Sequence, residues 1–411
     1  MSHPLPRGVS DKLAPFGTTI FTTMTKLAQE HGAVNLSQGF PDFDGPAFIK
    51  QAAKDAIDNQ PNQYAPMPGV PALRKAIAHR FTRDTALECD PDTQVVVTAG
   101  CTEAIAAALI GLCNPGDEVV LFEPFYDSYR AAVAMAGATA RYVALRPRYQ
   151  EAGGKRTIAS FDYDPAELAA AFTVRTRAVL VNTPHNPTGK VFSRAELSQI
   201  GELCIKHNAV AIADEVYERL TYDDAQPHIS IASLPEMEHR TITLSSLGKT
   251  FSFTGWKIGW SVASPPLTAA VRAAHQFLTF AVSTPMQHAA AAALAREDEA
   301  VDELVPMLER NRDRLAAALG DLGFAVHRPA GTYFICADHT AVSQKIGGGE
   351  GGGVIDDQSF AMNLIKHCGV AAIPPSVFYD RPELGQSLVR FAFCKKPETV
   401  EEAIKRLQKL K

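Results

Sequence analysis

The chain has 411 residues, of which 46% are hydrophobic and 21% charged, and its formal net charge is −5. This length favours two domains with separate cores, and the weakly acidic balance gives no reason to expect a nucleic-acid or membrane partner. The N-terminal residues lack the apolar core of a signal peptide, and no apolar run reaches the roughly 18 residues of a membrane span. The seven cysteines are scattered without metal-ligand spacing. We therefore expect a reduced, cytoplasmic protein without a metal site.

The first two-thirds of the chain alternates short apolar runs with amphipathic segments. This pattern predicts an α/β sheet with helices on both faces. The predicted strands are Gln94 to Thr98, Glu118 to Phe122, Ala178 to Asn182, Ala209 to Ala213 and Thr241 to Leu244. A predicted helix from Thr102 to Leu112 follows the first strand. Because ligands of open α/β sheets bind at the carboxyl ends of the strands, we expect a site where these strands end.

The pattern changes after about Leu294. Predicted helices at 297–319, 356–367 and 396–410 and predicted strands at 331–337 and 389–393 indicate a smaller α+β domain. We expect the N-terminal segment to pack with it, so that residues 1–46 and 295–411 form the small domain and residues 47–294 the large one. Residues 347–353 contain a G-x-G-x-x-G pattern, but no apolar strand precedes it, and we interpret it as a surface loop.

Three residues at the expected sheet edge form one chemical constellation. Lys249 lies in the run SSLGKTF, Asp214 closes an apolar run in ADEVY, and Asn186 lies in the turn NTPHNPTG. Alone, they would be interpreted as a surface lysine, a helix cap and a simple turn. Together they suit pyridoxal phosphate, because an amine can bind its aldehyde covalently and a carboxylate can keep its pyridine nitrogen protonated.

With these motifs the chain resembles the fold-type I, class I aminotransferases, and within them the methionine and kynurenine aminotransferase branch. The resemblance runs from about Lys12 to the C-terminus. Within this branch the chain is most similar to bacterial methionine aminotransferases. The most specific stretches are SQGFPDF at 37–43, EPFYD at 123–127, the Asn186 turn, 214–217 and 246–260. The resemblance implies a pyridoxal 5'-phosphate cofactor, a homodimer, and the PLP-dependent transferase fold: a large domain with a mostly parallel sheet plus a smaller α+β domain.

Several residues are expected to hold the cofactor. Cys101 and Thr102 open a helix after a strand, where free amides and the helix dipole suit a phosphate; a plain N-cap by Thr102 is the alternative. Ser246 and Lys257 are expected to complete the phosphate site. For Cys101 we expect the backbone, and not the thiol, to take part.

The remaining cofactor contacts follow from the resemblance alone. It implies that Tyr126, rather than Phe125, stacks on the cofactor ring, and that Asn186 and Tyr217 bond its phenolic oxygen. It also implies that Tyr64 reaches the cofactor phosphate of the partner subunit. A buried tyrosine bonded to a backbone carbonyl is the alternative for Tyr217.

Substrate contacts are expected mainly from Arg390. An arginine between apolar residues of a predicted strand needs a partner, and a substrate carboxylate can bind it through two hydrogen bonds; a structural salt bridge is the alternative. Gly39 and Asn186 are expected nearby. Phe16 and Phe280, with Tyr64 from the partner subunit, are the expected walls of the side-chain pocket. The alternative is that the phenylalanines belong to the core and that His275 or Arg272 enters the pocket.

The sequence therefore predicts a pyridoxal-phosphate-dependent aminotransferase in which Lys249 is catalytic. It would move the amino group of methionine or an aromatic or kynurenine-type amino acid to a 2-oxo acid by a ping-pong mechanism. Two alternatives stay open. A cysteine-S-conjugate β-lyase would use the same lysine and cofactor, and a non-catalytic cofactor-binding regulator would need an added DNA-binding segment, for which the chain leaves little room.

Overall fold

The part of the molecule that the structure describes contains fourteen strands and thirteen α-helices. This computed structural model describes residues 8–222, 227–347 and 355–411. The strands are β1 Val34–Asn35, β2 Val95–Thr98, β3 Glu118–Glu123, β4 Thr139–Ala144, β5 Arg146–Ala152, β6 Lys155–Asp162, β7 Thr176–Asn182, β8 Val210–Asp214, β9 Thr241–Ser246, β10 Gly259–Ala263, β11 Ala325–Val326, β12 Phe334–Asp338, β13 Val370–Ala371 and β14 Leu388–Ala392.

The helices surround these strands. They are α1 Ile20–Glu30, α2 Ala47–Asn59, α3 Pro71–Thr85, α4 Gly100–Leu112, α5 Asp127–Met135, α6 Pro165–Ala171, α7 Arg194–His207, α8 Leu247–Thr250, α9 Pro265–Leu278, α10 Thr284–Ala295, α11 Glu297–Leu322, α12 Asp357–Cys368 and α13 Pro397–Leu407. The start of α7 shows how the local sequence sets such bounds. Ser193 and Glu196 form a reciprocal capping box that satisfies free amides of the first turn.

Seven of the strands form the main sheet in the order β2-β10-β9-β8-β7-β3-β4. Strand β10 is antiparallel to both neighbours, and the other neighbouring pairs are parallel. Every residue of β2, β3, β8, β9 and β10 is buried, as expected for a sheet covered by helices on both faces. The predicted α/β architecture is confirmed. Its parallel strands β7, β8 and β9 end side by side.

The C-terminal part contains a smaller antiparallel sheet in the order β11-β12-β14. Strand β1 pairs in parallel with β13, with Val34 opposite Val370. An N-terminal strand is thus paired with a strand of the C-terminal region. This pairing agrees with the discontinuous small domain proposed above, although the boundaries at 46 and 294 stay a prediction.

The predicted sheet strands lie within two residues of the observed ones. The alanine-rich segment at 289–295 is the second half of α10, and Ala289, Ala290, Ala293 and Leu294 are buried in it. The hairpin of β5 and β6 and the strands β4 and β10 were not predicted. The predicted glycine-rich loop at 347–353 lies, apart from Gly347, outside the described residues.

All seven cysteines lie in the described part of the chain, and all are free thiols. In that same part no helix is both long and apolar enough to cross a membrane.

Candidate active site

A cavity of about 280 Å³ opens where strands β7, β8 and β9 end. Further lining residues come from α1, the segment 38–40, the start of α4, the start of α5, the segment 254–258 and the small sheet. Most of the predicted site residues line this cavity, namely Gly39, Cys101, Thr102, Tyr126, Asn186, Asp214, Tyr217, Ser246, Lys249, Lys257 and Arg390. The structure therefore brings together residues that are up to about 350 positions apart in the sequence.

Asp214 ends β8 on the floor of the cavity, and its carboxylate is buried. The hydroxyl of Tyr129 donates to its Oδ2 at 2.6 Å, and the backbone N–H of Val216 donates to Oδ1 at 3.3 Å. The thiol of Cys101 donates to the same Oδ1 at 3.5 Å. Burial raises the pKa of Asp214, while the bond from Tyr129 acts in the opposite direction. A cation facing this carboxylate would stabilise its ionised form.

Lys249 lies in the short helix α8, directly after β9. Its Nζ is 3.0 Å from the hydroxyl of Tyr333 and 3.3 Å from the carbonyl oxygen of Gly39. Burial lowers the pKa of Lys249 to about 8, and the positive charges of Arg390 and Lys257 act in the same direction. A minor but usable fraction of the amine is therefore neutral near physiological pH, and this neutral form is the one that a nucleophile or a proton acceptor requires.

The first turn of α4 also lines the cavity. The helix begins at Gly100 with Ala99 as its N-cap and without a side-chain cap, so the predicted alternative of an N-cap by Thr102 is wrong. The N–H of Ala99 bonds Oε2 of Glu103 at 2.7 Å. Gly100 has φ +76, and a Cβ there would lie 3.2 Å from Nζ of Lys257. A glycine thus lets the lysine approach the free end of the helix.

The turn after β7 is tied to the end of β8. The side chain of Asn182 donates to the carbonyl of Asp214 at 2.9 Å and accepts from the N–H of Asn186 at 2.7 Å. Asn186 in turn accepts from Arg390 at 3.0 Å. Asn186 is therefore held between the floor of the cavity and the buried arginine.

Tyr126 and Tyr217 also line the cavity. Tyr126 lies edge-on to Tyr129 with ring centroids 5.7 Å apart, and burial raises its pKa to about 12. Phe125, the alternative to Tyr126, packs against Tyr142 and does not line the cavity. Tyr217 is buried, and its ring is perpendicular to that of Tyr333 at 5.2 Å.

Arg390 is 1% exposed in the middle of β14. Its guanidinium donates to Oδ1 of Asn186 at 3.0 Å and to the carbonyl of Ser37 at 2.9 Å, and it lies 4.2 Å from the centre of the Phe334 ring. Among the described residues no carboxylate forms an ion pair with it, and its Nε is buried without a partner. The predicted alternative of a structural salt bridge is therefore wrong, and the positive charge is left for a ligand.

Two aromatic residues that were predicted as pocket walls, Phe16 and Phe280, do not line the cavity of this chain. Tyr64 was predicted to line the cavity of the partner subunit, and that role stays a prediction. Phe16 lies 5.9 Å from the guanidinium of Arg130. Tyr64 is 85% exposed and packs edge-on against Phe280, which is 43% exposed. The phenylalanine rings that do line the cavity belong to Phe21, Phe40 and Phe334.

Sequence reasoning missed two further residues, Tyr129 and Tyr333. Tyr129 is three positions after Tyr126, and this spacing on a helix places both on one face; that signal was present in the sequence. Tyr333 precedes β12, where an aromatic residue is typical of a core, and nothing in its local pattern indicated a contact with Lys249.

The residues around the cavity fit pyridoxal phosphate. The buried Asp214 is placed to face a pyridinium cation, the free amides at the start of α4 and the amine of Lys257 can accept a dianion, and the neutral amine of Lys249 can bind an aldehyde. The unpaired Nε of Arg390 shows that this guanidinium still has a donor for a carboxylate.

Comparisons with known proteins agree with this chemistry. The family model described as aminotransferase class I and II matches residues 31–407. A probable N-succinyldiaminopimelate aminotransferase, DapC, of Mycobacterium tuberculosis is 48% identical over 97% of this chain and 98% of its own. The methionine aminotransferase of Escherichia coli is 41% identical over 97% of each chain. Human kynurenine–oxoglutarate transaminase 1 is 39% identical over 94% of each chain.

Solved structures show the same fold. The structure of N-succinyldiaminopimelate aminotransferase from Mycobacterium tuberculosis superimposes with a TM-score of 0.89, covering 98% of this chain and all of the other. That of Escherichia coli YbdL, described as having a methionine aminotransferase function, also gives 0.89, with the same coverage.

Fold and site together define a pyridoxal-phosphate-dependent enzyme of fold type I. The chain belongs to the class I and II aminotransferases. The predicted enzyme class and cofactor are confirmed, and the alternative of a non-catalytic regulator is set aside.

Proposed function

We propose that this aminotransferase uses methionine, or an aromatic or kynurenine-type amino acid, as its amino donor and passes the amino group to a 2-oxo acid by a ping-pong mechanism. The main support for this proposal is the number of positively charged side chains that line the cavity. Among the described lining residues they are Lys249, Lys257 and Arg390. The first is assigned to the cofactor aldehyde, the second to the phosphate and the third to the substrate α-carboxylate. No lining cation is left for a second carboxylate in the substrate side chain.

The walls of the cavity favour an apolar side chain. Phe21, Phe40 and Phe334 line it, and the rings of Phe21 and Phe334 lie 5.4 Å and 4.2 Å from the guanidinium of Arg390. Burying a methionine or aromatic side chain there contributes about 1.5–3 kcal/mol, and sulfur gains a small further preference against ring edges. An aspartate side chain in the same place would lose its hydration without gaining a partner, at comparable or greater cost.

Two residues that could have supplied a second cation are engaged elsewhere. His275 is fully buried, with Nδ1 2.8 Å from Oε1 of Glu103 and Nε2 3.2 Å from the carbonyl of Met67. Arg272 donates to backbone carbonyls at the start of β2 and just before it. Neither lines the cavity, which supports the apolar assignment of the pocket.

We assign the steps of the reaction to residues as follows. Arg390 binds the substrate α-carboxylate through parallel hydrogen bonds and so fixes the direction of the Cα–H bond. The neutral amine of Lys249 takes the proton from Cα and returns it at C4' of the cofactor. Asp214 keeps the proton on the ring nitrogen. When bound, pyridoxal phosphate supplies the electron sink for the charge that the departing proton leaves behind.

We also propose that the protein is a cytoplasmic homodimer in which Tyr64 completes the phosphate site of the partner subunit. Tyr64 is 85% exposed and is packed edge-on against Phe280. Phe277 and Leu278 add further exposed apolar surface at the end of α9. Such a concentration of exposed large apolar side chains is typical of a protein interface.

A second candidate donor is an N-succinylated diaminopimelate. It is favoured by the 48% identity to the probable N-succinyldiaminopimelate aminotransferase. Its distal carboxylates would need cations outside the described lining of the cavity. Lys395 is near the mouth, but its Nζ donates to the carbonyls of Gln38 and Phe40.

Specificity constants of the half-reaction test the proposal. The cofactor absorbance of the holoenzyme is followed with methionine, phenylalanine, kynurenine, aspartate and N-succinyl-diaminopimelate as single donors. We expect kcat/KM for the first three to exceed that for aspartate by about 100-fold, since a difference of 1.4 kcal/mol is tenfold. A preference for aspartate or for the succinylated donor would contradict the proposed donor while leaving the aminotransferase activity intact.

A pair of variants tests the pocket assignment. Phe21→Ala removes a ring from the wall and should lower kcat/KM for methionine and phenylalanine by about tenfold or more. Phe48→Ala is a matched control, because Phe48 packs against Arg296 away from the cavity. Equal effects of the two substitutions would show that Phe21 does not contact the donor.

A further inference from the structure

The amine of Lys249 lies in a small network of hydrogen bonds that involves no other charged group. Its Nζ is 3.0 Å from the hydroxyl oxygen of Tyr333 and 3.3 Å from the carbonyl oxygen of Gly39. The hydroxyl of Tyr333 donates to the same carbonyl at 2.6 Å. The three atoms therefore form a closed triangle, and Tyr333 is 1% exposed.

The direction of each hydrogen bond in this triangle is fixed by chemistry. A carbonyl oxygen only accepts, so the single proton of the Tyr333 hydroxyl is committed to Gly39. The oxygen of Tyr333 then faces Lys249 with its lone pairs, and the bond of 3.0 Å is one that the amine must donate. The carbonyl of Gly39 likewise accepts from the amine. Both neighbours thus take N–H protons from Lys249, and neither offers one.

This arrangement matters for the neutral amine. A neutral amine has two N–H donors and one lone pair. With both donors held by Tyr333 and Gly39, the lone pair has no donor competing for it and is left facing the cavity. If the phenol instead donated to the amine, its proton would occupy the electron pair that has to accept a proton from the substrate.

We propose that Tyr333 is a positioning residue for Lys249: by accepting an N–H of the amine while its own proton is bound to Gly39, it orients the amine and keeps its lone pair free. This inference concerns the aminotransferase activity that the family establishes and does not depend on which amino acid is the donor.

The same backbone segment also reaches the proposed substrate-binding arginine. The carbonyl of Ser37 accepts from Arg390 at 2.9 Å, two residues before the carbonyl that holds Tyr333. A Cβ at Gly39 would lie 2.6 Å from the ring of Phe334, so the segment is closely packed against the strand that follows Tyr333. The residue that binds the carboxylate and the residue that moves the proton are therefore positioned by one stretch of backbone, 37–39.

The experiment follows the protonation state of Lys249 in Tyr333→Phe. An acceptor stabilises the ammonium form more than the neutral amine, so its removal should lower the pH at which the amine loses its proton. In the apoprotein, the rate of attachment of pyridoxal phosphate is measured from pH 6 to 10 by visible absorbance. The parent should show a midpoint near pH 8, and we expect Tyr333→Phe to have a midpoint about one pH unit lower.

The kinetics of the holoenzyme provide a second test. Because the amine is no longer held in one orientation, kcat of the half-reaction should fall by about tenfold or more, while the KM for the amino acid changes little. Other groups that influence Lys249 are unchanged in this variant, and the titratable and charged ones among the described residues are Asp214, Tyr217, Lys257, Arg390 and Cys394.

Tyr222→Phe is the matched control. Tyr222 is also an inward-facing tyrosine, and its hydroxyl bonds the carbonyl of Thr332, the residue next to Tyr333, without contacting Lys249. We expect this control to keep the parent midpoint. A midpoint for Tyr333→Phe equal to that of the parent would overturn the proposal, even if kcat falls. Should Tyr333→Phe not fold, 3-fluorotyrosine at position 333, a weaker acceptor, must shift the midpoint downwards by a smaller amount, and an unchanged midpoint would again overturn it.

Discussion

The hydroxyl of Tyr129 donates a hydrogen bond of 2.6 Å to Oδ2 of Asp214. The two residues come from the start of α5 and the end of β8, and both are buried. Burial raises the pKa of Asp214 and the bond from Tyr129 opposes that rise. Tyr129 therefore helps to keep ionised the carboxylate that we assign to the cofactor nitrogen.

Tyr129→Phe should weaken this function without removing it. Loss of one hydrogen bond to a buried charged group costs about 1.5–3 kcal/mol, so we expect the affinity for pyridoxal phosphate and kcat each to fall by about tenfold. Tyr163→Phe is the control, since the hydroxyl of Tyr163 bonds Gln199 in a separate cluster. Unchanged affinity and turnover in Tyr129→Phe would show that Asp214 does not depend on this bond.

Asp214→Asn should keep the fold and much of the cofactor affinity but lose activity. An amide cannot hold the proton on the ring nitrogen, so the electron sink fails, and we expect kcat to fall on the order of 100-fold or more. The comparison is between kcat and the dissociation constant of pyridoxal phosphate in the same preparation. Turnover close to that of the parent would mean that another group protonates the ring nitrogen.

Arg390→Lys should weaken amino-acid substrates much more than the cofactor. Lysine keeps the charge but loses the planar pair of donors, so we expect kcat/KM to fall by about 10- to 100-fold. The decarboxylated analogue of methionine, 3-methylthiopropylamine, should lose little further. Arg312→Lys, at an equally buried arginine paired with Glu309 and Asp313, is the control. Equal losses for the amine and the amino acid would indicate a structural role of Arg390.

The stability of the apoprotein should fall in mild acid because of two buried histidines. Burial lowers the pKa of His185 to about 3 and that of His327 to about 4. As pH falls below about 6.5, the unfolded chain binds protons that these folded histidines do not, so the free energy of unfolding decreases. The loss is at most about 1.4 kcal/mol per pH unit for each histidine and ends near the folded pKa.

Urea denaturation at pH 7, 6 and 5 measures this loss. The variants His185→Gln and His327→Gln should each have a smaller decrease between pH 7 and pH 5 than the parent. A decrease of the same size in both variants would show that other groups cause the acid sensitivity.

Five of the seven strands of the main sheet could be predicted from the sequence because they are short runs of mostly apolar residues. The hairpin of β5 and β6 could not, since runs such as Arg146–Ala152 carry charged residues and are stabilised by their pairing with Lys155–Asp162. Local sequence does not encode a partner strand of that kind.

The cofactor end of the site was predicted better than the substrate end. Lys249, Asp214 and Asn186 follow strands whose positions in a parallel sheet are fixed by topology. The aromatic walls depend instead on how the small sheet and the N-terminal segment approach the large sheet. Phe16 and Phe21 look alike in the sequence, yet Phe21 lines the cavity and Phe16 does not. A choice between them required the tertiary structure.

The central claim is that Lys249 is the residue to which the cofactor binds covalently. Reduction of the holoenzyme with borohydride, followed by peptide mapping, tests it most directly. We predict a stoichiometric pyridoxyl group on the peptide that contains Lys249, and none in Lys249→Ala, which should still bind the cofactor but lose transamination by several orders of magnitude. A pyridoxyl group on Lys257, the other lysine that lines the cavity, would contradict the account.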